Sequence, residues 1–162
     1  MDAEKFTKKS LEVIESCEKL AYEYNNQELT QAHLMYALVT VEDSLIAKLL
    51  TNMGINMDAF TGECEKMVAN RPKVSGGQLF TSPEFSKALI QAEKEAKQMG
   101  DDYISVEHIF LGLLEKADKD IKRVINAYGI TRGKFLEVLA NIRGNRKVES
   151  DNPEDTYDAL NK

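Results

Sequence analysis

Leu29-Thr30-Gln31-Ala32-His33-Leu34 and Ile104-Ser105-Val106-Glu107-His108-Ile109 decide the fold, because they are one pattern written twice. In each, a hydroxyl residue is bracketed by apolar residues just before it and four positions after it. That is a helix N-cap inside a hydrophobic staple. A histidine stands three residues after each cap. Sliding the chain by 75 residues, the separation of His33 and His108, lays it on itself without a gap from about Val13 to Ile142. Glu18-Lys19-x-Ala21 falls on Glu93-Lys94-x-Ala96, Leu38 on Leu113, Gly54-Ile55 on Gly129-Ile130 and Phe60 on Phe135. Such self-similarity marks a repeat architecture, so each half checks the other.

Working outward, the segment before each pattern carries apolar residues at helical spacing: Leu11, Ile14, Cys17, Ala21 and Tyr24, then Phe85, Leu89, Ala92, Ala96 and Met99. Thr7 and Ser82-Pro83 supply the N-caps. Beyond the second helix of each repeat a third is expected from Asp43 or Asp118. It ends at Gly54-Ile55 or Gly129-Ile130, where glycine with a following apolar residue suits a Schellman closure. A fourth restarts at Asn56 or Thr131. The expected fold is all-α, two tandem pseudo-twofold four-helix repeats, eight helices in one domain over residues 1–144, with no convincing strand. Repeat one covers about 6–69 and repeat two about 81–143. Asn70 to Gly77 reads as a connecting loop, broken by Pro72 and by Gly76-Gly77, and 145–162 as a polar linker with a short helix begun near Asn152-Pro153-Glu154.

The net charge of −6 repels phosphate backbones and anionic lipid, so nucleic acid and membrane surfaces are poor partners. No apolar run reaches the length of a membrane span, and the start Met1-Asp2-Ala3-Glu4-Lys5 is unlike an export signal. Two cysteines, Cys17 and Cys64, lie on apolar helix phases without a C-x-x-C pair, as expected of reduced core thiols in a cytoplasmic protein. No G-x-x-x-x-G-K-S/T, G-x-G-x-x-G or G-x-S-x-G stretch occurs, so no catalytic residue is assigned. His33 and His108 make a poor metal pair without further ligands, and repeated position accounts for both.

Two tandem four-helix repeats, each with a Thr/Ser-x-x-His-Leu/Ile start to its second helix, resemble the Clp N-terminal repeat family across the whole chain. Three stretches are most similar to ClpB-type AAA+ disaggregase chaperones: Asn70-Arg71-Pro72-Lys73-Val74-Ser75-Gly76-Gly77, Ile142-Arg143-Gly144-Asn145-Arg146-Lys147-Val148, and Asn152 to Lys162. The last resembles the lead into a first AAA+ module, which is expected to lie beyond this chain. The resemblance implies a non-catalytic recognition domain that takes unfolded or aggregated client polypeptides and delivers them to a hexamer pore, in concert with a DnaK-type chaperone. ATP and magnesium would belong to the missing modules, with no cofactor in this domain. The isolated domain is expected to be a monomer and the full-length protein a homohexamer.

In ClpB proteins a threonine at the start of the first helix and two acids around the second repeat's second helix are implicated in substrate handling. They match Thr7, Asp101 and Glu107 here. Around them the expected groove lies beside the first helix of repeat two, with Leu89 and Ile109 as apolar lining and Tyr103 between the two acids. Thr7 also fits a plain N-cap, and Glu107 a favourable charge in a helix's first turn. Under the 75-residue shift the three fall on Ser82, Asn26 and Ala32, so the acidic character belongs to repeat two alone. ClpC- and ClpA-type degradative unfoldases resemble the chain too and imply an adaptor- or tag-docking domain. In the ClpC type a glutamate precedes the histidine in both repeats, whereas here Ala32 replaces the first. Thermal melting followed by circular dichroism should show a helical protein whose transition ignores added Mg-ATP or zinc; a shift on adding ATP would contradict the non-catalytic assignment.

Overall fold

The N-caps set where each helix starts, and the glycines where the third of each repeat stops. The computed structural model describes residues 2–154 and Tyr157. Repeat one holds α1 (Lys8–Glu23), α2 (Gln31–Thr40), α3 (Leu45–Asn52) and α4 (Met57–Ala69); repeat two holds α5 (Pro83–Gln98), α6 (Val106–Glu115), α7 (Lys119–Ala127) and α8 (Arg132–Arg143). These eight α-helices build the two repeats, and the fold is all-α. Thr7 Oγ1 accepts from the Ser10 amide at 3.2 Å and Ser82 Oγ from the Phe85 amide at 3.0 Å. The Schellman bonds form at both glycines: Ile55 N–H to Leu50 O at 3.1 Å and Ile130 N–H to Ile125 O at 2.9 Å, with Gly54 and Gly129 at positive φ. One start differs from expectation. In repeat one the cap of α3 is Ser44, whose Oγ accepts from Ala47 N at 3.0 Å, while Asp43 turns the chain at φ +55.

The central helices α2 and α6 are buried nearly all round, and their neighbours pack about them. Phe60 meets Tyr128 edge-on across the repeats at 5.2 Å, and Phe110 packs on Phe135 at 4.5 Å. Cys17 and Cys64 are free and buried in this core, where burial pushes both thiols up, Cys64 to about 12.

Two short extended pairings, too brief to leave a period in the sequence, lock the repeats together. The strand β1 (Glu28–Leu29), leading into α2, runs parallel to β2 (Phe80–Thr81), leading into α5. Reciprocally, Phe6, leading into α1, bridges in parallel to Ile104, leading into α6, with Ile104 N–H to Lys5 O at 2.7 Å and Thr7 N–H to Ile104 O at 3.0 Å. Each repeat's lead segment is thus held by the other repeat. Gln31 adds a buried junction, donating from Nε2 to Glu84 O (2.9 Å) and Lys116 O (2.8 Å) and accepting from Asp118 N (2.8 Å).

Asp101 sits in the connection from α5 to α6, so the approach of these two helices sets the site's geometry. Gly112 permits it: a Cβ there would strike the Ala88 carbonyl oxygen and come within 3.1 Å of Ala92 N. The shift places Ala37 at the corresponding point of repeat one. Gly112→Ala should therefore destabilise the fold by about 1–3 kcal/mol, read from the urea midpoint. Gly62→Ala, with open space about its Cα, should cost nothing measurable.

Candidate functional site

The site grows from the start of α6. A helix buried at its N-terminus must satisfy its first amides without water. Here the histidine at the third helical position does what Glu or Gln does in a capping box, its Nδ1 accepting from the Ser105 amide at 2.9 Å. With Nδ1 an acceptor, Nε2 carries the proton and donates to Asp101 Oδ2 at 2.7 Å. Repeat one repeats the geometry in neutral form: Thr30 N to His33 Nδ1 at 3.0 Å, and His33 Nε2 to Asn26 Oδ1 at 2.9 Å. Burial, aided by the Arg71 charge, pushes His33 down to about 4, so it is uncharged at neutral pH.

Ser105 Oγ lies 3.0 Å from His108 Nδ1, which gives Ser105, His108 and Asp101 the outline of a hydrolytic triad. The chemistry is wrong for one. The hydroxyl and a backbone N–H share the same ring nitrogen, and Ser105 and His108 are fully buried, so no substrate carbonyl can reach Oγ.

Asp101 is the hub. Arg143 at the end of α8 grips it with two bonds, Nη2 to Oδ1 at 2.6 Å and Nη1 to Oδ2 at 2.9 Å, and Nη1 also reaches Glu107 Oε2 at 3.4 Å. The Val148 amide donates to Asp101 Oδ1 at 3.0 Å. Burial opposes the Asp101 charge, yet the bonds from His108, Arg143 and Val148 hold its carboxyl well below the usual carboxylate range.

The structure brings Thr7, Asp101 and Glu107 into one cluster and buries all three. Residues 145–154, expected as a tether, lie over them. Val148 is fully buried, Lys8 N–H donates to Asp151 O at 2.8 Å, Asp102 N–H to Val148 O at 2.8 Å, and Thr7 Oγ1 to Glu154 Oε2 at 2.8 Å. Pro153 and Glu154 are helical, and the remainder of the short helix expected there lies mostly outside the described residues. Leu89 and Tyr103 are half-buried at the edge of the core. Ile109 corrects the expected lining: it is wholly buried, because the face of α6 that carries it turns into the core.

Arg143 and Glu154 were not foreseen as site residues. A signal exists for Arg143, which the 75-residue shift sets against Val68, charge where the other repeat is apolar; Glu154 lies beyond the matched span. Among the described residues no group of three or more His, Cys, Asp or Glu could hold a metal ion, and no helix is long and apolar enough to cross a membrane.

The Clp repeat (R) N-terminal domain family model matches residues 5–128. Chaperone protein ClpB of Nitratidesulfovibrio vulgaris is 40% identical over 100% of this chain and 19% of its own length. Chaperone protein ClpB of Clostridium tetani is 40% identical over 99% of the chain and again 19% of its own. The chain thus spans about a fifth of the length of these curated relatives. Among solved structures, the crystal structure of the Hsp104 N-terminal domain from Candida albicans superposes with a TM-score of 0.80 at 21% identity, covering 91% of this chain and 97% of that one.

The ion-paired cluster makes Arg143 costly to lose. Arg143→Met leaves two buried carboxylates without their cation and should destabilise the domain by about 3–5 kcal/mol in urea titration. Since the Asp101 carboxyl is held below its ordinary 3.8, its contribution is present above that pH and disappears as pH falls beneath it. Asp101→Asn should therefore flatten the acid limb of the stability profile, with the rest of the curve displaced downward.

Proposed function

Because the chain belongs to the Clp repeat N-terminal domain family, we propose that it is the client-recognition domain of a ClpB-type, ATP-driven disaggregase. It holds unfolded or aggregated polypeptides and passes them to the pore of a hexamer, in the cytoplasm and alongside a DnaK-type chaperone. One observation carries this reading: the likeness to ClpB chaperones runs the whole length of the chain, through both repeats and the segment after them. The cluster's chemistry agrees, since its serine, histidine and acids are spent on capping and ion pairing inside the domain.

The client surface belongs to repeat two. Lys5 reaches across to Glu93 at 2.8 Å, which seats the lead segment of α1 against α5. Leu89, one turn before Glu93 on the same face, borders that junction. Ile90 beside it is 49% exposed, an apolar side chain that burial against a client would cover. Tyr103 marks the far edge, between the acids of the cluster. Clients of many sequences are served by apolar burial more than by hydrogen-bond readout, and their ordering entropy keeps each contact weak. A tether to the ring then supplies effective concentration in place of affinity.

Fluorescence anisotropy with a labelled, reduced and carboxymethylated polypeptide tests the assignment. Leu89→Gln should weaken binding by about 1 kcal/mol, roughly fivefold in Kd, with an unchanged circular dichroism spectrum. Normal binding by that variant, with amide shifts gathered around Ala32 and Leu34 of repeat one, would place the client elsewhere.

A further inference from the structure

Residues 145–154 and Tyr157 roof the cluster of Thr7, Asp101 and Glu107, and the carboxyl of Glu154 is the point at which they are fastened. Its Oε2 takes a hydrogen bond from Thr7 Oγ1 at 2.8 Å and one from the amide of Val106, the first residue of α6, at 3.3 Å. Glu107 lies in that same first turn and belongs to the same buried cluster. One oxygen of each acid, Glu107 Oε1 and Glu154 Oε1, is buried without a hydrogen-bond partner, as is the Tyr157 hydroxyl. Two such carboxylates together are unfavourable unless one holds a proton.

The surrounding charges do not relieve them. From α8, Arg143 commits its two best bonds to Asp101 and gives Glu107 one of 3.4 Å. Asp101 adds negative charge, and His108 spends its Nε2 proton on Asp101. Within the covering segment Arg146 stacks over the Tyr157 ring at 5.8 Å, and Arg143 approaches the same ring at 5.9 Å. From α1, Lys8 faces Asp151 at 3.9 Å on an exposed edge. Nor does the fold require an acid at the Glu107 position, for the 75-residue shift sets Ala32 against it.

We propose that residues 145–154 with Tyr157 form a releasable strap over the cluster of Thr7, Asp101 and Glu107, and that Glu154 is its proton-operated latch. The strap stays closed while the Glu154 carboxyl holds a proton and loosens when it ionises. Burial, and next the Glu107 charge, push the Glu154 carboxyl up to about 7 in the closed form from an ordinary 4.5. The closed form therefore binds the proton more tightly than the open one. Closure is strongest below pH 4.5 and weakens as pH rises through about 7. That the strap masks an extension of the client surface, lying beyond Tyr103 over the cluster, rests on the placement of that surface in repeat two; the latch itself does not.

Hydrogen exchange on the full chain reads the latch through the amides of Lys8, Asp102 and Val106, whose acceptors all lie in the strap. Their protection factors, corrected for intrinsic rates, should fall about tenfold or more between pH 5.5 and 7.5, while core amides of α2 hold. Glu154→Gln, uncharged at every pH, should remain protected throughout. Equal protection at both pH values, or a Glu154→Gln variant that opens like the parent, would overturn the latch. Client anisotropy reads the masking: at pH 7.5 Glu154→Gln should bind the carboxymethylated polypeptide about threefold or more weakly than the parent. Val148→Asp, which puts a charge into the strap's buried contact, should bind it more tightly than the parent at pH 5.5. Exchange that follows pH while neither variant changes client affinity would overturn the masking and place the client elsewhere, with the latch intact.

Discussion

A helix surrounded by protein has no water for the amides of its first turn, and both central helices of this domain meet that constraint with a histidine. His33 and His108 each accept the cap residue's amide on Nδ1. Doing so fixes the ring's tautomer and aims its remaining N–H at one spot outside the helix. Whatever occupies that spot must accept a hydrogen bond in a dry environment. The residue there, its neighbours and the chain that passes over them follow from that demand.

The repeats answer it differently. Repeat one offers Asn26, a neutral acceptor that needs no counter-charge, and carries Ala32 and Val68 where repeat two has Glu107 and Arg143. Repeat two offers Asp101, whose buried charge requires Arg143. Arg143 stands where repeat one keeps a core valine, and it admits a second acid, Glu107, to its reach. One exchange of amide for carboxylate is thus compensated by a cation, which spends its two best bonds on that carboxylate. The architecture is shared, but ionic work is concentrated on one side of the pseudo-twofold, the side to which the client surface is assigned.

The helix boundaries were open to sequence reading because caps, staples and glycine closures are local, and the duplication supplied an independent copy of each. The slip at the start of α3 shows the limit: Asp43 and Ser44 are both capping residues, and only the observed chain reversal at Asp43 chooses between them. The strand pairs were hidden for another reason. Two residues carry no measurable period, and their partners lie in the other repeat. Ile109 was expected in the groove lining from its place near the start of α6 beside the two acids, but a helix enclosed on all sides has no outward face there. Arg143 and Glu154 act across 42 and 147 residues of sequence, on Asp101 and Thr7 respectively, so nothing in their immediate neighbourhood reveals them. Comparison of the two halves reveals Arg143, which stands opposite Val68, but not Glu154.

The reciprocal pairing of lead segments, Phe6 with Ile104 and Leu29 with Thr81, has a bearing on how such a molecule came about. Each half offers two lead segments and pairs them with the other half's, the self-complementary geometry of a twofold dimer whose two subunits are joined end to end. A lone ancestral repeat would have left these segments unpaired, and a second identical copy would have supplied the missing partners. Joining two copies in one chain makes such pairing intramolecular and frees the halves from having to stay identical. One copy could retain the neutral interior while the other accumulated charge, so the specialisation of repeat two is something a symmetric pair of subunits could not have acquired.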